Sequence, residues 1–354
     1  MKKLWMGCVV FFFIMALVTV GAVDAQTTSK PLVIRVAEIS PPTGPRAEML
    51  QKAMADVERL TEGRIKMEVY WSETLVKTKE IPKAIQRGVA DIGYCAPTYH
   101  PAEFPLMTHF MYVAFHPKGE DSDYITRKGW ELYDNCKPLR DEVEKLGQTV
   151  WIMLPYDSYV MYSKKIVKGL DDMKGMRIRV TGDGYAKMVK AIGAFPTYTT
   201  APELYNALER GTVDAALSGW EPGKRYGFFE VVPYVIETNF SFQYAFNNVS
   251  LSALQKMSEK DRKTFLEVGR RSSLEFGERM KKERAEIKAF MIAKGIKVLP
   301  FPDEERDKWA ANPEVNGLIK EWIDDQNKAG RPGTEVMKTF LKVWGIEKWM
   351  PSGY

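Results

Sequence analysis

Few residues in this 354-residue chain have the types and spacing that catalysis requires. Enzymes of this size usually combine a nucleophile, a base and oxyanion donors, but the sequence contains no G-x-S-x-G, H-E-x-x-H or S-x-x-K motif. Asp183 and Asp214 are the acids that an extracytoplasmic hydrolase could use, and Asp214 recurs as Asp91 in a second copy of its local pattern. A unique catalytic group needs no duplicate, so a structural role is the simpler interpretation of Asp214. The sequence therefore predicts a protein that is not an enzyme and has no catalytic residues.

Metal and nucleotide sites are not indicated either. The three histidines lie among prolines and lack helical ligand spacing, so we expect them at the surface or in loops. They are His100, His109 and His116. Residues 219–224 resemble a phosphate-binding loop, but the spacing is one residue short and Pro222 removes an amide donor. We predict no metal and no cofactor, although the backbone amides of residues 182–184 could hold an anion without one.

What remains is a concentration of aromatic and hydroxylated residues near predicted strand ends. In open α/β sheets, ligands bind beyond the carboxyl ends of the strands. Core packing is the alternative for each residue taken singly, but a lining of polar-tipped rings favours recognition over chemistry. The residues are Trp71, Tyr94, Thr98, Tyr99, Tyr156, Tyr159, Tyr162, Ser218 and Trp220.

These side chains need α/β elements to position them. Residues 32–37 have the β-branched content of a buried strand, residues 49–61 have helical periodicity, and residues 65–71 alternate as a second strand. Strand, helix, strand is the pattern of an α/β fold. Later in the chain, residues 258–295 predict one long helix that suits an element bracing two lobes, and further helices are predicted over 303–327 and 334–344.

A local pattern occurs twice. Residues 84–91 and 207–214 both read A-[IL]-[QE]-R-G-x-x-D. In each copy an amphipathic helix is predicted to end at a glycine, and a short strand follows. We infer two lobes of similar α/β construction. The alternative is that helix–Gly–strand junctions recur by chance in any α/β protein.

The first 25 residues have the composition of a secretory leader. Two lysines precede a nearly unbroken apolar run over residues 4–23, and Ala25 precedes the predicted cleavage site. A retained membrane anchor is the alternative, because about 20 apolar residues can span a bilayer. The leader predicts a location outside the cytoplasm, where a bond between Cys95 and Cys136 is permitted but not established by the sequence.

Composition excludes other classes of protein. The chain is 45% hydrophobic and 27% charged, which is typical of a packed globular protein. Its net charge of +5 is too slight for the concentrated basic surface that duplex binding uses, so nucleic acid is not an expected partner.

From about Leu32 onwards the chain resembles the DctP-like solute-binding proteins of TRAP (tripartite ATP-independent periplasmic) transporters. The matching segments are residues 62–70 (EGRIKMEVY), 88–92 (GVADI), 172–180 (DMKGMRIRV), 192–196 and 203–214, in the order of the family. The resemblance implies an α/β, two-lobed periplasmic-binding-protein fold with a long bracing helix late in the chain. It also implies that the protein captures a small organic acid in the periplasm by lobe closure and delivers it to membrane permease subunits, as a monomer. A sensor's ligand-binding protein is the alternative.

The implied domain organisation has three parts. A signal peptide covers residues 1–25. Lobe I comprises residues 31–155 plus about 245–285, and lobe II comprises residues 156–244 plus about 286–354.

In the family, an arginine on the strand that corresponds to residues 176–180 pairs with the carboxylate of the ligand, and that position is Arg179 here. A planar guanidinium on a rigid strand suits an oxyacid better than an ammonium does. The resemblance and the strand-end positions together predict nine ligand-binding residues. They are Arg179, Tyr159, Tyr99, Tyr94, Thr78, Trp71, Ser218, Trp220 and Glu38.

The predicted site differs from that of the sialic-acid binders of the same family. Tyr159 stands where they use a second arginine, Ala96 and Tyr99 stand where they have a Glu and an Arg, and Ser218 stands where they have an asparagine. A pocket that lost charge and gained rings should reject a polyhydroxylated acidic sugar, because the sugar hydroxyls would stay unpaired. We therefore favour a carboxylate with an aromatic or indolyl body. A small keto acid, a dicarboxylate and a sulfonate remain open.

Overall fold

Two mixed β-sheets form the framework of the computed structural model, which describes residues 30–113, 121–156 and 158–354. The predicted leader and His116 lie outside the described residues. The first sheet contains β1 (Leu32–Ala37), β2 (Ile65–Tyr70), β3 (Ile92–Cys95), β4 (Gln148–Tyr156) and β10 (Gln243–Ser250). The second contains β5 (Tyr159–Ser163), β6 (Arg177–Val180), β7 (Phe195–Tyr198), β8 (Ala215–Ser218), β9 (Tyr234–Phe240) and β11 (Lys297–Pro300). The strand order is β2-β1-β3-β10-β4 in the first sheet and β11-β9-β5-β8-β6-β7 in the second.

Helices cover the faces of both sheets. They are α1 (Pro45–Leu60), α2 (Ile81–Gln86), α3 (Ser122–Asn135), α4 (Lys137–Glu144), α5 (Asp183–Ala191), α6 (Ala201–Glu209), α7 (Trp220–Arg225), α8 (Leu251–Gln255), α9 (Glu259–Ala293), α10 (Asp303–Ala310), α11 (Pro313–Asn316), α12 (Leu318–Lys328) and α13 (Gly333–Trp344). The predicted α/β, two-lobed architecture is confirmed. The residue numbers at which the lobes divide remain a prediction.

The repeated pattern forms the same junction in both sheets. Gly88 and Gly211 follow α2 and α6 with φ angles of 70° and 71°, a conformation that glycine adopts without steric cost. Asp91 then accepts hydrogen bonds from the backbone N–H and Nε of Arg35 on β1. Asp214 does the same for Arg177 on β6. Each aspartate therefore joins a junction to the neighbouring strand, which is the structural role that the sequence predicts for Asp214.

The long helix α9 contacts both halves of the molecule. The side chain of Ser258 caps its first turn by accepting a hydrogen bond from the N–H of Asp261. The helix packs on α1, α3 and β4 near the first sheet and on α7 and β11 near the second. A Cβ on Gly269 would lie 2.3 Å from the carbonyl oxygen of Trp151, so this glycine permits the close approach of α9 to β4. The predicted bracing helix is thus present.

The helix predicted over residues 303–327 is wrong as a single element. It is divided into α10, α11 and α12. Pro313 has no N–H and occupies the first turn of α11, while Asn312 caps that turn by accepting from the N–H of Glu314. The apolar periodicity continues through the break, which is why the sequence pattern alone extends the helix.

The sequence predicts the histidines at the surface or in loops: His100 lies in a loop, as predicted, but it is buried, and His109 is buried within the 3₁₀ helix Leu106–Tyr112. His109 packs between Phe110 and Phe340, 5.8 and 4.8 Å between ring centroids, and contacts Tyr244 through a hydrogen bond. Burial lowers the pKa of His109 to about 4. The flanking prolines correctly exclude helical ligand spacing but carry no information about burial.

Two further observations concern the cysteines and the helices. Cys95 and Cys136 are both buried free thiols, so they are not paired in this structure. Among the described helices, none combines the length and apolarity needed to cross a bilayer.

Candidate functional site

Arg179 lies at the end of β6, between two neighbouring strands of the second sheet. Its Nε donates to the carbonyl oxygen of Thr199 at 2.9 Å, and its Nη1 donates to that of Leu217 at 3.0 Å. The side chain is only 1% exposed. Because two backbone carbonyls fix the guanidinium, its position does not depend on flexible partners.

Tyr99 reaches Arg179 from the first sheet. It lies in the turn after β3, and its hydroxyl accepts hydrogen bonds from Nη2 of Arg179 at 3.1 Å and from the N–H of Ala201 at 3.0 Å. Three of the five N–H groups of Arg179 therefore bond to described residues, and each Nη retains one N–H for a ligand. Two parallel N–H donors are what a carboxylate accepts in a bidentate pair.

His100 holds the turn that carries Tyr99. Its two ring nitrogens lie 2.8 Å from the carbonyl oxygen of Ala96 and 2.9 Å from that of Thr78. The ring therefore links the end of β3 to the short 3₁₀ helix Thr78–Glu80. The side chain of Thr78 donates to Glu73, and this hydrogen bond fixes the first residue of the 3₁₀ helix.

Tyr159 lies beside Arg179 and bonds across the sheets. Its hydroxyl donates to Oε1 of Gln243 on β10, which also accepts from Thr181 at 3.3 Å. Burial raises the pKa of Tyr159 well above its usual value, and the charge of Arg179 opposes that rise only in part. The phenol therefore stays neutral.

A second cluster continues from Tyr94. The guanidinium of Arg46 lies 4.2 Å over the Tyr94 ring, and its Nη1 donates to the hydroxyl of Tyr156 at 3.0 Å. The hydroxyls of Tyr94 and Tyr156 are 3.2 Å apart. Arg46 forms a buried ion pair with Glu38 at 2.9 Å. The other carboxylate oxygen of Glu38 accepts from the N–H of Ser40, so both oxygens of this carboxylate are hydrogen-bonded within the protein.

The helix α7 adds a third buried arginine. Arg225 lies 3.4 Å from Glu221, one turn earlier, and its guanidinium is 4.9 Å from the ring centroid of Tyr226. Burial alone would lower the pKa of Arg225. The negative charge of Glu221 and the nearby tyrosines outweigh this effect and raise the pKa above its usual value, so the charge is retained. Trp220 begins this helix and lines a small cavity together with Arg46 and Tyr156.

The structure thus brings together some of the predicted residues and leaves others apart. Arg179, Tyr99 and Tyr159 form one cluster, and Tyr94, Glu38 and Trp220 belong to the second. Ser218 is buried at the end of β8, directly after Leu217. Trp71 is half-buried after β2, and Thr78 bonds to Glu73; neither contacts Arg179 in the hydrogen bonds that the described residues make.

One expectation about the site needs correction. The cleft is not stripped of charge, because Glu38, Arg46 and Arg225 are buried in it. Anion binding by the amides of residues 182–184 stays a prediction; packing also requires these glycines, because a Cβ on Gly184 would lie 2.3 Å from the carbonyl oxygen of Met111. Asp183 between them is exposed and pairs with Lys187 at 2.9 Å.

Sequence reasoning missed Arg46, Arg225 and Gln243. Arg46 follows the first strand at a helix start, and Arg225 stands four residues after Glu221, a spacing typical of a helical ion pair. Both patterns are also typical of ordinary surface arginines, so they do not indicate that these side chains are buried. Gln243 carried no signal, because its role depends on where β10 returns to the first sheet.

Two α/β sheets that flank a cleft with buried arginines define the class of two-lobed solute receptors. The chain belongs to the DctP family, described as bacterial extracellular solute-binding protein, family 7, whose family model matches residues 36–321. This confirms the predicted family and its location in the periplasm. It also confirms that the protein is not an enzyme, because the family consists of solute-binding proteins.

Similar proteins cover most of the chain. The sialic acid-binding periplasmic protein SiaP of Vibrio cholerae is 27% identical over 281 residues, which is 74% of this chain and 81% of that protein. An extracytoplasmic solute receptor of Bordetella pertussis is 22% identical, with a TM-score of 0.76 over 87% of this chain and 99% of the receptor. A TRAP solute-binding protein of Rhodoferax ferrireducens T118 is 20% identical, with a TM-score of 0.79 over 89% and 98% of the two chains. At these identities the two structures establish the fold.

Proposed function

We propose that this protein is the solute-binding component of a TRAP transporter and that it captures a small organic acid whose carboxylate binds Arg179. The observation that carries the proposal is the anchoring of Arg179 by Thr199, Leu217 and Tyr99, which leaves one N–H on each Nη. The nine predicted site residues are the proposed lining. Delivery to membrane permease subunits, and a monomeric state, are part of the same proposal.

We propose an aromatic or indolyl body for the acid. The rings of Tyr99, Tyr159 and Tyr94 support this choice, since they border the arginine clusters and present apolar faces beside polar tips. The Rhodoferax protein is described as a complex with copurified benzoate, and the Bordetella receptor as binding pyroglutamic acid. Both ligands are small cyclic carboxylates. A keto acid, a dicarboxylate and a sulfonate are the competing ligands.

Calorimetric titration of the mature protein with benzoate, pyroglutamate and indole-3-acetate tests this function. Arg179→Ala should weaken the binding of whichever acid is bound by about 2–5 kcal/mol, because the carboxylate would lie unpaired in a desolvated cleft. Arg177→Ala is the matched control, because Arg177 lies two residues earlier on β6 and pairs with Asp214 outside the cleft. Equal affinity of wild-type protein and Arg179→Ala would remove Arg179 from the site.

The transport and sensor alternatives make different predictions. A transport receptor should bind its permease subunits in a ligand-dependent way. Genes for the membrane subunits adjacent to the gene for this chain favour transport, and a neighbouring sensor gene without them would favour the sensor.

A further inference from the structure

A groove lies between the start of α1, the helix α7 and the second half of α9. Its volume is about 390 Å³, which is within the range of small-molecule pockets, about 300–1,000 Å³. Among the described residues, Arg179 and Tyr99 do not line it, so it is separate from the proposed acid site. Four carboxylates and three cationic side chains line the groove.

Part of this charge is neutralised within the protein. Nη2 of Arg279 donates to Glu48 at 2.7 Å, and its Nε donates to Glu283. Arg279 therefore compensates two of the four carboxylates. The other two are Glu221 and Glu286, and the other two cations are Lys224 and Arg225.

Arg225 is the buried group of the groove that lacks partners. Its side chain is only 3% exposed, yet in the described part of the chain neither Nε nor Nη1 has a hydrogen-bond partner. Its contact with Glu221, at 3.4 Å, is an ion pair without a hydrogen bond, and Oε1 of Glu221 is unpartnered as well. Buried polar groups are normally satisfied, so this pair of residues indicates a place that a ligand completes.

The remaining charges lie nearer the solvent. Glu286 is exposed on α9, and the ammonium of Lys224 lies 5.1 Å from the ring centroid of Phe290. On the opposite wall, Gly44 precedes α1 and provides no side-chain cap for the first turn. The uncapped N-terminus of a helix carries partial positive charge and favours an anionic group.

These charges decide the chemistry of the ligand. An anion alone would satisfy Arg225 but leave Glu221 and Glu286 without donors, in a groove where carboxylates outnumber cations by one. A cation alone would leave the guanidinium of Arg225 unsatisfied, because its N–H groups can only donate. A molecule that carries both charges on a small skeleton complements both sets.

We propose that this groove is a second binding site, for a small zwitterion of the α-amino acid class. The carboxylate binds Arg225 near the N-terminus of α1, and the ammonium binds Glu221 and Glu286. The site does not depend on the acid that binds Arg179.

Calorimetric titration of the full mature protein with L-alanine, L-leucine and L-phenylalanine tests this site. The three share the zwitterionic end and differ in size. At least one should bind, and its N-acetyl and amide derivatives, which lack one charge each, should bind at least about tenfold more weakly. No binding of any of the three, or a derivative that equals its amino acid, would overturn the site.

Variants locate the binding. Arg225→Gln and Glu286→Gln should each weaken the amino acid about tenfold or more; circular dichroism checks the fold of the first, and the second changes an exposed residue and decides the matter if the first is unfolded. Glu278→Gln is the matched control, because Glu278 is also exposed on α9 but does not line the groove. Wild-type affinity in Glu286→Gln would overturn the site.

Arg179→Ala separates this site from the proposed function. It should bind the amino acid as tightly as the wild type does. If Arg179→Ala loses amino acid binding, the amino acid occupies the Arg179 site, and the second site is overturned while the role of Arg179 stands.

Discussion

At the scale of single residues, Arg179 combines rigidity with unused donor capacity. Backbone carbonyls of Thr199 and Leu217 hold its Nε and Nη1, so binding an anion costs little side-chain entropy. The same carbonyls partly compensate a charge that is almost fully buried. A lysine has only three N–H groups, so at this position it could not replace the three contacts of Arg179 and still keep two donors for a ligand.

Tyr99 links this arginine to the other half of the molecule, so its hydroxyl should contribute to affinity. Tyr99→Phe removes the acceptor for Arg179 and for the N–H of Ala201. Loss of a hydrogen bond to a charged group costs about 1.5–3 kcal/mol, so we expect affinity for the bound acid to fall about tenfold or more. Calorimetry measures this directly. Tyr354→Phe, whose hydroxyl contacts Asp324 near the C-terminus, is the control and should bind like the wild type. Unchanged affinity in Tyr99→Phe would show that the bridge has no role in binding.

Prediction from sequence was uneven at this scale. The place of Arg179 on β6 could be predicted because its strand motif is specific to the family, while its role in ligand binding stays a prediction. Arg46 and Arg225 could not, because burial of an arginine depends on tertiary packing that composition does not encode. The second cluster shows the consequence: the sequence predicts a pocket that lost charge, whereas Glu38, Arg46 and Arg225 are buried there.

At the scale of elements, the duplicated helix–Gly–strand junction is the most informative feature. Its aspartate serves one function in both sheets: it joins the start of one strand to an arginine on the neighbouring strand. The hydrogen bond from Arg177 lowers the pKa of Asp214, against the effect of partial burial. A carboxyl whose pKa is lower in the folded state stabilises the protein above its ordinary pKa, and this stabilisation is lost as the pH falls through the folded value.

Asp214→Asn should therefore lower the free energy of unfolding at neutral pH, and the loss should be smaller in acid. Because Arg177 is about half exposed, solvent screening reduces the effect, and we expect about 1 kcal/mol at pH 7. Chemical denaturation of the variant and the wild type at pH 7 and pH 3 measures the difference. Asp171→Asn, which breaks an exposed pair with Lys174, should leave stability unchanged. A larger loss at pH 3 than at pH 7 would contradict the role of the ionised carboxylate.

The buried histidine of the 3₁₀ segment Leu106–Tyr112 provides a second pH dependence. Burial lowers the pKa of His109 to about 4, from an ordinary value near 6.5. Protonation thus favours the unfolded chain, so stability is full above pH 6.5 and falls as the pH approaches 4, by up to about 3 kcal/mol. In His109→Gln the free energy of unfolding should vary less with pH over this window. Equal slopes for the variant and the wild type would show that His109 does not titrate there.

The boundaries of elements could be predicted where local chemistry sets them. Ser258 marks the start of α9 by capping it, and Gly88 ends α2 because it adopts a positive φ. The break between α10 and α11 shows the limit: Pro313 lies within an amphipathic pattern, and the pattern by itself favours continuation.

At the scale of the whole molecule, the proposed site is shared between the two sheets. Arg179 and Thr181 belong to the second sheet, whereas Tyr99 and Gln243 belong to the first. A ligand that binds Arg179 thus strengthens contacts that exist only when the two halves are close. Differential affinity of this kind is what drives closure of two-lobed receptors.

Closure should be visible in solution. Small-angle scattering of the mature protein should show a smaller radius of gyration after addition of a bound acid, because the lobes approach around α9. Arg179→Ala at the same acid concentration should keep the value of the free protein. An unchanged radius in the wild type, at saturating acid, would contradict binding by closure.

The most direct test of the central claim is the identity of the solute that the protein carries. Wild-type protein and Arg179→Ala are purified in parallel from the natural host, denatured, and the released small molecules are compared by mass spectrometry. We predict that the wild type releases a carboxylic acid with an aromatic ring and that the variant releases none of it. A neutral or cationic solute, or the same acid in equal amount from both proteins, would contradict the account.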